Sequence, residues 1–160
     1  MEKSTPIWKT WLPALLWLAL IIIQSSNSLS ASNTRRILYP LFHFLTGVDP
    51  ARFAEWHYHL RKLGHFVGYF VLSALLFRAW RASLPLPAFS RWSLHWARIA
   101  WFMAALVACL DEWHQSYIIS RGGSVGDVLL DAFAAFTAQV LIYGYLKLRE
   151  PRTVSIVGSG

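Results

Sequence analysis

Four apolar runs with few charges divide the chain, and polar stretches separate them; the first two of these stretches each contain at least two Lys or Arg residues, and the third begins with two acids. The runs cover residues 12–23, 63–80, 94–110 and 125–146. A helix needs about 20 mainly apolar residues to cross a bilayer, and three of the runs approach or reach that length. The first run, with its Trp flank, reaches about 16 residues and is slightly short. We predict an all-α, polytopic membrane protein with four transmembrane helices.

The first run allows a second interpretation. A basic start, a short apolar core and small residues at Ser28 and Ser30 are also features of a cleavable signal peptide. Trp17 lies within the run, however, and Gln24 follows it directly. Because this pattern suits an anchor with a polar outer end, we predict that the first helix is a membrane anchor.

Residues 25–62 separate the first two runs and contain apolar blocks too short to span a bilayer. The blocks are residues 37–45, which Pro40 interrupts, and residues 53–60. Both are rich in aromatic side chains, as expected of helices that lie at headgroup level. We therefore predict an interfacial helical segment between transmembrane helices 1 and 2.

Composition supports lipid as the solvent and excludes several classes of protein. Apolar residues make up 56% of the chain, which contains nine Trp, and the mean hydropathy is +0.40. The net charge is +7, but the cations flank apolar runs, where they face lipid headgroups. We predict membrane lipids and no nucleic acid as partners. The lone Cys109 excludes a disulfide framework or a Cys-based zinc site within one chain.

Cation distribution predicts the orientation. Nine Lys and Arg residues lie on the side that holds both termini and the loop 82–93, and six lie on the other side. The side richer in cations is normally cytoplasmic. We predict cytoplasmic termini, a transmembrane domain over residues 8–147 and a disordered cytoplasmic tail over residues 148–160.

Polar side chains from three predicted helices converge on the outer end of the bundle. Arg61, His65 and Tyr69 follow each other at intervals of four residues and share one helix face. The third helix ends, and the fourth begins, in acidic residues. The predicted polar site comprises Arg61, Lys62, His65, Tyr69, Asp111, Glu112, His114, Gln115, Arg121, Ser124, Asp127 and Asp131.

Spacing predicts some partners within this site. Asp111 shares a helix face with His114 and Gln115, whereas Glu112 points elsewhere and faces a different helix. Ser124 precedes Asp127 by three residues, which predicts a capping box at the start of the last helix.

Asp131 lies one turn further on, about 10 Å into the span. A carboxylate at that depth needs a cation, a donor or a proton, and topology favours Arg121, His65 or Arg61.

Three kinds of chemistry are compatible with these residue types. Carboxylates together with His65 and His114 could bind a divalent metal such as zinc. The chain lacks HExxH and other metal signatures, however, so we predict no metal and no cofactor. Glu112 or His114 is a candidate general base for a lipid-linked substrate. The interpretation we favour is a paired polar network that binds a headgroup, ion or glycan, or only holds the bundle together.

Three motifs occur in the order Arg61-Lys62-x-x-His65-x-x-x-Tyr69, Asp111-Glu112-x-His114-Gln115 and Arg121-Gly-Gly-Ser124-Val-x-Asp127-Val. Together they resemble the VanZ-like family of small bacterial membrane proteins, over roughly residues 8–147. The resemblance implies a four-helix inner-membrane protein. The family's namesake is associated with low-level resistance to teicoplanin, a lipidated glycopeptide that acts on peptidoglycan precursors outside the membrane. This chain departs from the family at Asp131, where Asn is frequent, and so has a second acid in the site.

The resemblance and the polar residues lead to one functional expectation with an alternative. We expect a multi-pass inner-membrane protein of the cell envelope that binds an amphiphilic or lipid-linked envelope component. Its partner would be a lipid-linked envelope precursor or a lipoglycopeptide, and it would contribute to tolerance of teicoplanin. The alternative is a membrane-embedded hydrolase or transferase that acts on a lipid-linked substrate with Glu112 or His114 as general base.

Overall fold

A computed structural model describes residues 6–26, 31–84, 91–118 and 122–149. Within these ranges the chain is helical and contains no strand. The helices are α1 (Ile7–Ser25), α2 (Ala31–Thr46), α3 (Pro50–Ser83), α4 (Leu94–Ser116) and α5 (Val125–Leu148). Helices α1, α3, α4 and α5 are long and apolar enough to cross a membrane. The predicted all-α class with four spans is thus confirmed.

Helix α3 lies at the centre of the bundle and packs against α1, α4 and α5. Small side chains form the seam between its neighbours. Ala100, Ala104 and Ala108 of α4 and Ala134 and Ala138 of α5 are all 0% exposed. Small residues let helix backbones approach closely in lipid, where apolar surface alone provides little driving force for association.

Polar side chains near the middle of the bundle join α3 to α5. Ser73 Oγ donates to the carbonyl oxygen of Ala135 at 2.9 Å. Gln139 Nε2 donates to Ser73 Oγ at 2.8 Å and to the Ser73 carbonyl oxygen at 3.1 Å. Such interhelical hydrogen bonds hold one relative position of two helices that apolar packing alone would leave free to slide.

Helix α1 is held against α3 by tryptophan side chains. Trp11 Nε1 donates to Ser83 Oγ at 2.8 Å near one end of the bundle. Trp17 Nε1 donates to the Gly68 carbonyl oxygen at 2.9 Å. These bonds place the end of α1 beside the polar residues of α3.

Helix α2 packs on the first turns of α3. Phe53 of α3 lies with its ring centroid 5.4 Å from the rings of both Tyr39 and Phe42. Thr34 Oγ1 and His57 Nε2 lie 3.0 Å apart. The interfacial segment predicted between the first two spans is therefore a helix, α2, that leans on an extension of α3.

Helix α3 begins at a capped N-terminus. The Asp49 carboxylate accepts hydrogen bonds from the N–H groups of Arg52 at 3.0 Å and Ala51 at 3.1 Å. These bonds hold the pKa of Asp49 below its ordinary value. The cap fixes where the chain turns from α2 into α3.

Two details of the predicted interfacial segment are wrong. Residues 53–60 are not a separate block, because α3 runs unbroken for 34 residues from Pro50 to Ser83. At 1.5 Å per residue, α3 is about 51 Å long, which exceeds the thickness of a bilayer's hydrocarbon core, about 30 Å. Pro40 does not interrupt the other block but lies inside α2. Hydropathy predicts the apolar part of a helix, whereas the N-terminal extension of α3 is supported by its Asp49 cap and by packing against α2.

Candidate functional site

The polar end is the end of the bundle at which α1 and α4 finish and α5 begins. Most of the predicted site residues meet here, because α3 passes this end on its way into the bundle. At its centre lie His65 of α3, Glu112 of α4 and Asp131 of α5, which we call the central cluster. One nitrogen or oxygen atom from each of the three side chains lies within 4.8 Å of the other two.

Asp131 and Glu112 are deeply buried carboxylates. Asp131 is 0% exposed and Glu112 is 4% exposed. Asp131 Oδ2 lies 3.3 Å from His65 Nδ1, so His65 is one of the three predicted partners that does lie beside it. Glu112 Oε2 accepts a hydrogen bond from the Ser124 backbone N–H at 2.8 Å. This bond confirms that Glu112 turns away from its own helix, here to the start of α5.

Among the described residues, the second oxygen of each of these two carboxylates has no hydrogen-bond partner. Glu112 Oε1 and Asp131 Oδ1 are buried and accept no hydrogen bond within the described residues. A buried acceptor without a partner costs about 1–3 kcal/mol, and more when it is charged. The central cluster therefore has unused capacity for a donor, a proton or a cation.

A layer of neutral donors surrounds Asp111. Its Oδ2 accepts from the Tyr69 hydroxyl at 3.2 Å and from Gln115 Nε2 at 3.0 Å. Gln115 Nε2 also lies 3.3 Å from Ser25 Oγ at the end of α1. Ser25 is not among the site residues predicted from the sequence, although the polar residues that end the first span were a signal for it.

A small cavity adjoins this layer. Its volume is about 30 Å³, enough for roughly one water molecule. Added Cβ atoms at Gly64 and Gly68 would meet no atom within 4 Å, so these glycines leave the space open. The cavity is lined by Ile21, Gln24, Ser25, Gly64, His65, Gly68, Tyr69 and Asp111.

Charged side chains flank the central cluster on the α3–α5 side. Lys62 Nζ forms an ion pair with the Asp127 carboxylate, and both side chains are half-buried. Arg61 is also half-buried, and Asp127 is close enough to act on its charge.

The predicted capping box is wrong. Ser124 is the N-cap of α5, but its side chain makes no capping hydrogen bond. The Asp127 carboxylate instead accepts from Lys62, because a charge-assisted bond to an ammonium is stronger than a bond to a neutral N–H.

One predicted site residue, His114, stands apart from the central cluster. His114 is exposed, and within the described residues its side chain makes no bond to the central cluster. It follows Glu112 by two residues, which turns it about 200° around the helix at 3.6 residues per turn. Asp111 had two predicted partners on α4, His114 and Gln115, and it pairs with Gln115. Arg121 lies outside the described residues, as do residues 150–160 of the predicted tail.

A larger opening lies between α2 and the first turns of α3, and we call it the α2–α3 groove. Its volume is about 530 Å³, and it is lined by Arg35, Arg36, Tyr39, Pro50 and Phe53. Within the described residues, neither guanidinium forms an ion pair. These residues are not among the predicted site residues, and their signal in the sequence is a pair of cations beside aromatic residues.

Four helices able to span a bilayer, with a buried acid and histidine cluster at one end, define a multi-pass membrane protein. A sequence model of the VanZ/LLP1 family matches residues 10–147, most of the chain, and the protein belongs to this family. No curated protein matches the chain. No solved structure matches it either.

Proposed function

We propose that this protein binds the anionic polar part of an amphiphilic or lipid-linked cell-envelope component at its polar end. In this proposal the protein lies in the bacterial inner membrane with both termini in the cytoplasm, so that the polar end faces outward. The observation that carries the proposal is the α2–α3 groove with its two guanidinium groups.

Size and chemistry both support this assignment. A volume of about 530 Å³ falls within the roughly 300–1,000 Å³ typical of small-molecule sites. Guanidinium groups bind phosphate and carboxylate through paired hydrogen bonds. Tyr39 and Phe53 supply apolar surface beside Arg35 and Arg36, as an amphiphile requires. A lipid-linked envelope precursor and a lipoglycopeptide such as teicoplanin share this combination, and binding either would affect teicoplanin tolerance.

Removal of the groove cations tests the proposal. We expect Arg35→Gln/Arg36→Gln to weaken binding of a polyprenyl phosphate by at least about tenfold, since hydrogen bonds to charged groups contribute about 1.5–3 kcal/mol each. Polyprenyl phosphate is titrated into purified protein in nanodiscs, and the bound fraction is measured by native mass spectrometry. The same variant should lower growth in teicoplanin.

The matched control is Arg78→Gln/Arg81→Gln, which also removes two exposed cations but near the other end of α3. We expect this control to bind polyprenyl phosphate like the wild type. Equal weakening in both variants would show that binding reflects net charge alone and would contradict the proposal.

The second candidate is a hydrolase or transferase that uses Glu112 as general base. The buried Glu112 Oε1, which accepts no hydrogen bond within the described residues, favours it. The exposed position of His114, apart from the central cluster, makes His114 the weaker candidate for this role.

Glu112→Gln separates catalysis from binding, because it removes the base and keeps the shape of the side chain. If Glu112 is a general base, we expect turnover of a polyprenyl-diphosphate substrate to fall about 10²- to 10⁴-fold with binding in the groove unchanged. Asp111→Asn is the control, since an amide oxygen still accepts from Tyr69 and Gln115. Full turnover in Glu112→Gln would exclude the base role.

A further inference from the structure

We propose that the central cluster binds one divalent transition-metal cation, with zinc as the best fit, through His65, Glu112 and Asp131. Imidazole nitrogen and carboxylate oxygen are both ordinary zinc ligands. The three ligands come from three different helices, so one ion would tie α3, α4 and α5 together at the polar end.

Distances in the cluster fit this assignment. Zinc holds nitrogen and oxygen at about 2.0–2.2 Å in a tetrahedron, which places neighbouring ligand atoms about 3.3–3.5 Å apart. His65 Nδ1 and Asp131 Oδ2 already lie 3.3 Å apart. All three ligand atoms lie within 4.8 Å of one another, so the cluster must close by no more than about 1.5 Å, a shift within the reach of side-chain rotation.

The unsatisfied oxygens are a second and independent indication. Glu112 Oε1 and Asp131 Oδ1 are buried without a hydrogen-bond partner within the described residues, and they belong to the same two carboxylates that flank His65. Two carboxylates taken out of water need compensating positive charge. A divalent cation supplies both charges at once, whereas a protonated His65 supplies one.

Three protein ligands leave one position of a tetrahedral ion open. Sites of this composition keep water or substrate in the fourth position, unlike structural zinc sites, which are closed by four ligands. The cavity of about 30 Å³ beside His65 has room for such a water. The inference does not depend on the α2–α3 groove, so the metal site and the proposed binding function can fail separately.

Zinc content of the purified protein tests the inference. The protein, in detergent micelles, is stripped with EDTA, equilibrated with Zn²⁺, desalted and assayed by plasma mass spectrometry. We expect about one zinc per chain, as for a single site. Wild-type protein that shows full helical circular dichroism and retains less than about a tenth of an equivalent would overturn the proposal.

Ligand variants locate the ion. We expect His65→Ala, Glu112→Gln and Asp131→Asn each to weaken zinc binding at least about 100-fold, since loss of a residue that only orients a ligand already costs about 10- to 100-fold. Glu55→Gln, which removes an exposed acid outside the site, is the acidic control and Cys109→Ser the thiol control, and both should bind zinc like the wild type. Loss of zinc in Cys109→Ser, with binding kept in the ligand variants, would overturn the assignment.

Cobalt absorption tests the metal site in the wild-type protein alone, without any variant. In the wild type we expect Co²⁺ to develop the intense visible absorption of a four- or five-coordinate site, and Zn²⁺ to displace it. A spectrum like that of hydrated Co²⁺ would show that the cluster does not coordinate the ion and would overturn the proposal even if every ligand variant failed to fold.

Discussion

His65→Ala is expected to lower the free energy of unfolding by about 3–5 kcal/mol, as is typical when one partner of a buried ion pair is removed. Asp131 is 0% exposed, and His65 is the partner of its carboxylate within the described residues. Truncation of His65 leaves that carboxylate buried with neither oxygen satisfied. The measurement is unfolding of the protein in mixed micelles by added SDS, followed by tryptophan fluorescence in EDTA so that no bound cation contributes.

The double variant His65→Leu/Asp131→Leu is the control for this effect. Apolar residues of similar volume often replace a buried ion pair without loss of stability. We therefore expect the double variant to recover most of the stability that His65→Ala loses. A double variant as unstable as the single one would show that His65 acts through packing and not through Asp131.

Gly123→Ala is expected to destabilise the protein by about 1–3 kcal/mol, the usual cost of forcing an extra methyl group into a packed site. An added Cβ at Gly123 would lie 2.5 Å from the Glu112 carbonyl oxygen and 3.0 Å from Ser116 Cβ. Residues 122–124 must then move away from α4. The Ser124 N–H moves with them, and the buried Glu112 carboxylate loses its hydrogen bond.

Gly122→Ala provides a control one residue away. A Cβ at Gly122 would meet no atom within 4 Å, and neither glycine has a positive φ, so alanine suits both backbones. We expect Gly122→Ala to unfold at the wild-type SDS concentration and Gly123→Ala to unfold earlier. Equal behaviour of the two variants would argue against close contact between this segment and Glu112.

The spans followed from hydropathy because a backbone in lipid must satisfy its own hydrogen bonds, which leaves helices as the solution for apolar runs of this length. Hydropathy did not predict where the helices end. The third apolar run stops at residue 110, yet α4 continues to Ser116. Its last residues are polar, but they stay helical because Glu112 and Gln115 are buried and bonded to neighbouring helices.

Helical periodicity and topology together limited the candidates for pairings that depend on one helix face or one depth, to two for Asp111 and three for Asp131. The Asp111–Gln115 bond and the proximity of His65 to Asp131 are of this kind. Pairings that depend on how whole helices pack against each other could not be predicted from the sequence. The contact of Ser25 depends on where α1 packs, and the α2–α3 groove depends on the angle at which α2 meets α3.

The unbroken course of α3 sets a fixed spacing between the two proposed binding sites, the α2–α3 groove and the central cluster. Phe53 lines the groove and His65 belongs to the central cluster, and the twelve residues between them correspond to about 18 Å along one helix. A bare phosphate cannot reach both places. A molecule that contacts both sites must carry a polar portion several sugar rings or amino acids long. The length of α3 between the sites would therefore favour glycans and glycopeptides over simple anionic lipids.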